Sequence, residues 1–135
     1  MKPNGGFTLM ELMLTVMVIA ILVSIAIPSY ISTVERTRAR EALSTLESMR
    51  AAELAYSSER RIFIDLPDTV PPAVADNQRW QMVGLENPNL NDSRSWDYGY
   101  DEGQGRGTAT RRGGPNNGET LQLNNDGTII DGFTP

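Results

Sequence analysis

The apolar positions divide the chain into two parts. From Phe7 to Ile27 the sequence runs FTLMELMLTVMVIAILVSIAI, 21 residues with one charge, Glu11. As a helix this run is roughly 32 Å long at 1.5 Å per residue, close to the hydrocarbon thickness of a bilayer. Beyond Pro28 the apolar residues thin to a stripe. Ala39, Ala42, Leu43, Leu46, Met49, Ala52 and Tyr56 recur at spacings of three and four, the pattern of one helix face. Glu41, Glu47, Arg50 and Glu53 alternate with them and are assigned to the polar side. No Gly or Pro interrupts Ser29 to Asp65, so the helix is expected to end between Ser57 and Arg60. Pro28 lacks an N–H, and its ring clashes with the carbonyl of Ser24, which predicts a kink or a local opening there.

The period then shortens. Pro67, Pro71 and Pro72 mark a loop over Asp65 to Gln78. Arg79 to Val83 alternates polar and apolar residues and predicts a short strand. Ser95 to Tyr100 places Trp96, Tyr98 and Tyr100 on one face of a second strand. Leu121 and Leu123 alternate in a third, Asn124-Asn125-Asp126-Gly127 supplies a hairpin turn, and Thr128-Ile129-Ile130 forms the return strand. Between Glu102 and Gly118 the stretch GQGRGTATRRGGPNNG is rich in Gly and Arg. It is expected to be a solvated hairpin loop, the functional alternative being a basic loop that meets a neighbouring subunit or an anionic ligand. The expected class is α+β: one long N-terminal helix, partly transmembrane, followed by three to four antiparallel strands.

Composition narrows the chemistry. The net charge of −5 argues against general nucleic-acid binding, which needs a basic surface. Eleven of the twelve basic residues are Arg, and the one Lys is Lys2. There is no Cys and no His, which excludes disulfides, His-ligated metals, a His general base and a Cys nucleophile within these residues. Carboxylates are plentiful, but nothing marks two of them as a catalytic pair, so no enzymatic activity is expected.

The apolar run admits three readings. Ser24-Ile25-Ala26 offers the small residues of a secretory signal cleavage site, but the apolar segment is long for that purpose and holds a carboxylate. A simple signal anchor accounts for the hydrophobicity and leaves Glu11 and the Gly5-Gly6 pair without a role. A charge inside a spanning helix costs several kcal/mol unless paired. The third reading uses all of these residues. Gly5-Gly6-Phe7-Thr8-Leu9-Met10-Glu11-Leu12 resembles the processing motif of type IV prepilins and of type II secretion pseudopilins.

The resemblance runs from Gly5 to about Arg40 and implies a definite life history. A membrane-embedded prepilin peptidase cuts between Gly6 and Phe7 and N-methylates Phe7. The implied organisation is a leader over residues 1–6, a transmembrane and filament-core half-helix over 7–28, and a periplasmic or surface pilin domain over 29–135. Lys2 and the short N-terminal tail place that end in the cytoplasm of a single-pass inner-membrane protein, which then moves into a periplasmic or cell-surface filament. Glu11 of an incoming subunit is expected to meet the Phe7 amine of a neighbour, so the implied partners are identical or related pilins. The peptidase, an inner-membrane assembly platform and its ATPase complete the set. Pro28 fits the family pattern, whereas Ala20 stands where a helix-breaking Gly is common. The implied fold is the pilin ladle, a long helix packed on a small sheet.

A filament subunit is thus the leading function. A pseudopilin of a secretion or competence system is the nearest alternative, and a membrane-anchored ligand-binding module a remoter one. No cofactor is expected. Calcium is the alternative, because major pseudopilins hold it near the C-terminus and Asn124, Asp126, Asp131, Asp97 and Asp101 supply oxygens. The Asn-Asn-Asp-Gly run is equally accounted for by turn chemistry.

Overall fold

The structure is a computed structural model that describes residues 6–69 and 71–133. Lys2 and Gly5 lie outside the described residues. Two compact units are present, Met1–Glu35 and Arg36–Pro135.

Helix α1 (Leu9–Arg60) contributes to both units and is unbroken across Pro28. It ends where the sequence pattern placed the end. Arg61 adopts a left-handed φ of 60°, and its N–H donates to Ser57 O at 2.8 Å, which closes the last turn as an αL cap does. In the Arg36–Pro135 unit the apolar stripe becomes the buried face. Ala42, Leu46 and Met49 are fully buried, and Ala39, Ala52 and Tyr56 pack partly against the core.

Glu53, assigned to the polar side from sequence, is instead wholly buried. It lies four residues after Met49 and seven after Leu46, so helical geometry puts it on the apolar face. Glu53 Oε2 accepts from the Ile64 N–H at 3.2 Å as the chain turns back along the helix.

Helix α2 (Val74–Met82) replaces the strand expected over Arg79–Val83 and the last part of the expected loop. The prolines before it end at Pro72, and Asp76 accepts from the Ala73 N–H at 2.9 Å, fixing the first turn. Trp80 and Val83, three residues apart, are both buried. Five alternating residues satisfy a strand and a short helix alike, and the cap decides between them.

Four strands follow: β1 (Trp96–Asp101), β2 (Arg106–Arg111), β3 (Thr120–Asn124) and β4 (Ile129–Asp131). They form one antiparallel sheet in chain order β1-β2-β3-β4. The class is therefore α+β, a long N-terminal helix with a small antiparallel sheet, as expected. Trp96, Tyr98 and Tyr100 point inward from β1, and Leu121 and Leu123 from β3. The expected Asp-Gly turn is present, with Gly127 at φ 90° and its N–H donating to Asn124 O at 2.9 Å.

Strand β2 is the element that the sequence pattern hid. The stretch taken for a solvated loop pairs on both sides, with Gly107 opposite Tyr100 and Leu123. Its inward positions are Gly107, Ala109 and Arg111, so it carries no apolar alternation. The small residues serve the helix. A Cβ on Gly107 would stand 3.1 Å from Leu46 Cδ2, which shows how closely α1 approaches the sheet. Trp96 ties the two together from the other side, its indole N–H donating to the Arg38 carbonyl at 3.0 Å. Phe133 packs against the Trp96 ring, tilted by 56° with centroids 5.3 Å apart.

Candidate functional site

The first turn of α1 holds the residues singled out for processing and assembly. Thr8 is the N-cap. Its backbone N–H and its hydroxyl both donate to Glu11 Oε2 at 3.1 Å, and Glu11 N–H donates back to Thr8 Oγ1 at 3.2 Å. This reciprocal pair is a capping box, which satisfies donors that a helix start otherwise leaves open. The signature Thr-x-x-Glu stands in the sequence at Thr8 and Glu11, and the structure gives Glu11 this local partner in addition to its expected role between subunits. Glu11 also sits where the helix dipole favours a negative charge. Its carboxylate is thus held in place at the N-terminal end of the apolar run by bonds within the chain.

Gly6 and Phe7 precede the helix. Gly6 is exposed, and a Cβ there would meet nothing within 4 Å. Phe7 is 83% exposed. Every described residue from Gly6 to Ile31 is exposed, apolar side chains included. Water is a costly surrounding for such a surface, at about 25 cal/mol per Å² of apolar area. The helix is long and apolar enough to cross a membrane.

Pro28 stands inside α1 with helix on both sides. It has no N–H to offer the Ser24 carbonyl. The Ser24 hydroxyl, one turn earlier, donates to Ile21 O at 2.7 Å.

Four of the five side chains expected as calcium ligands are engaged locally. Asp126 accepts from Thr128 N–H at 2.7 Å, Asp131 from Phe133 N–H at 2.9 Å, and Asp101 from Gln104 at 3.0 and 2.8 Å. Asp97 pairs with Arg94 at 2.6 Å. Among the described residues, no three acidic side chains come together in a way that holds a metal ion. Asp126 is held below the ordinary carboxylate range by its Thr128 hydrogen bonds, as a turn residue is.

Comparison with known proteins bears on the same segment. Residues 1–27 match the model of the prokaryotic N-terminal methylation motif. The chain is 37% identical over 67 residues to the type IV major pilin protein PilA of Myxococcus xanthus (strain DK1622), covering 50% of this chain and 30% of that protein. The chain carries a prokaryotic N-terminal methylation motif. A fimbrial protein of Pseudomonas aeruginosa is 44% identical over 63 residues, covering 46% of this chain and 41% of its own length. One from Moraxella nonliquefaciens is 32% identical over 74 residues, covering 55% and 48%. The chain therefore spans between about a third and a half of the length of these pilins. No solved structure gives a significant match.

Proposed function

We propose that this chain is a structural subunit of a type IV pilus or pilus-like filament, and not an enzyme. It is made as a prepilin, cut between Gly6 and Phe7 by a prepilin peptidase and N-methylated at Phe7. Before assembly it crosses the inner membrane once, N-terminus in the cytoplasm. A platform and ATPase then move it into a filament of identical or related subunits.

One observation carries this reading: the apolar first half of α1, exposed throughout residues 6–31, begins with a single, pre-positioned carboxylate. Lipid covers the apolar surface first and neighbouring helices cover it in the filament. The carboxylate adds nothing to either kind of adhesion. A lone ionised group in lipid costs several kcal/mol, and a partner removes that cost. The new amine at Phe7 of an adjacent subunit supplies the positive charge, so Glu11 sets register while the Leu, Ile, Val and Met side chains supply adhesion. Pro28 is the point at which the helix opens during packing, because the Ser24 carbonyl lacks its ordinary donor. The likeness to a type IV major pilin and to fimbrial proteins favours a pilus over a secretion pseudopilin.

The test replaces Glu11 with Ala in the native host and follows the protein into membrane and sheared-surface fractions. The expected result is normal membrane insertion with filaments reduced to background. Wild-type filament numbers from the variant would refute the pairing of Glu11 with the Phe7 amine.

A further inference from the structure

The chain is acidic overall, yet four of its eleven arginines converge on one cavity. This cavity of about 250 Å³ lies in the Arg36–Pro135 unit and is lined by Arg38, Arg94, Arg111 and Arg112 with Ser93 and Ser95. Among the described residues, Arg, Ser and the Gly113-Gly114 segment border it, and no apolar side chain lines it. We propose that it is a binding site for a small oxyanion of the phosphate class, with Arg94 and Arg112 as the principal ligands.

Two observations carry the assignment. The first is an imbalance of charge. Asp97 serves two guanidiniums at once, with Oδ1 2.6 Å from Arg94 Nε and Oδ2 3.8 Å from Arg112 Nε. One carboxylate against two cations leaves positive charge to be matched. The second is a buried donor without a partner. The Arg94 side chain is 5% exposed, its Nη1 donates to Asn91 O at 2.9 Å, and its Nη2 has no acceptor among the described residues. An unmet charged donor in the interior is costly and rare; Nη2 is closed to solvent as it stands, so an anion in the cavity meets it once the Arg94 side chain shifts toward Arg112.

Arg111 has a different part. It is buried, its Nη1 donates to the Ser95 and Arg112 carbonyls, and its guanidinium lies 5.8 Å from the Trp96 ring centroid. These contacts hold the two strand ends, and the segments carrying Arg94 and Arg112, around the cavity. Arg94 also borders a second, larger cavity of about 490 Å³, but Glu41 and Glu86 stand there and repel an anion. The site is therefore on the Arg112 side. Guanidinium forks match phosphate oxygens in pairs, and a lining without apolar atoms suits a small, fully hydrated anion better than a carboxylate on a hydrocarbon stem.

The test is a titration of the isotope-labelled full chain in detergent micelles, following the Gly113 and Gly114 amides. Inorganic phosphate and glycerol 3-phosphate are each compared with sodium chloride at equal ionic strength and with acetate. Saturable shifts with phosphate are expected, weakened at least fivefold in Arg112→Gln and in Arg94→Lys. The Arg112 side chain is 42% exposed, so that variant retains the fold even if Arg94→Lys does not. Saturation by both phosphates identifies a site open to a phosphoester group, and saturation by inorganic phosphate alone a site for the free ion; either supports the assignment. Shifts no larger than those with chloride, acetate binding as tightly as phosphate, or unchanged affinity in Arg112→Gln would each overturn it.

Discussion

Replacing Glu53 with Gln should remove a pH dependence that the buried carboxyl imposes on folding. Burial, aided by the nearby charges of Glu102 and Asp65, pushes Glu53 from the ordinary 4.5 up to about 7, against the opposing pull of the Ile64 N–H. The folded state therefore holds this proton more tightly than the unfolded chain does. Below about pH 4.5 both states are protonated and the group adds no pH dependence. Between 4.5 and 7 the unfolded chain releases the proton and the folded one keeps it, so stability falls as pH rises. Above 7 the loss is complete. Moving the group from 4.5 to about 7 corresponds to roughly 3 kcal/mol. Gln keeps an acceptor for Ile64 N–H and cannot ionise. The assay is denaturant unfolding of the full chain in detergent, followed by the fluorescence of Trp80 and Trp96, from pH 4.5 to 8.5. Tyr98 and Tyr100 do not interfere, because burial raises both above the usual phenol value. The difference in stability between Glu53→Gln and wild type should swing toward the variant by about 2–3 kcal/mol over that range. Parallel pH profiles for the two proteins would refute the reasoning.

Two further substitutions test the packing and the helix start. Gly107→Val drives a branched side chain toward Leu46 Cδ2, which already stands 3.1 Å from the nearest Cβ position; a loss of about 1–3 kcal/mol is expected in the same unfolding assay. Thr8→Ala removes the hydroxyl half of the capping box. It should cost about 1 kcal/mol at the first turn, seen as faster amide exchange at residues 9–12, while filaments still form because the Glu11 carboxylate remains.

Much of the fold was legible where one physical signal acted alone. The apolar stripe, which ends at Tyr56, and the absence of Gly and Pro before Asp65 located the end of α1. Aromatic alternation marked β1, and the Asp126-Gly127 turn with its flanking Leu121, Leu123, Ile129 and Ile130 marked β3 and β4. Strand β2 was not legible, because Gly107 and Ala109 are small for the sake of the approaching helix and so imitate a loop. Glu53 was misplaced because its charge outweighed its position, although its spacing from Leu46 and Met49 put it on the buried face. Segment 79–83 was too short for its period to decide, and Asp76, the residue that fixes α2, lies before it. At the N-terminus the motif made Gly6, Phe7 and Glu11 conspicuous, whereas the bond from Thr8 to Glu11 was written in the spacing and went unread.

The central claim is that the chain matures by losing its first six residues and enters a filament. Mass spectrometry of the N-terminal peptide, on membrane and sheared-surface fractions from the native host, tests this most directly. The account predicts a chain that starts at N-methylated Phe7 and occurs in both fractions. A mature chain that keeps Met1, or one that starts at Ile27, would contradict it.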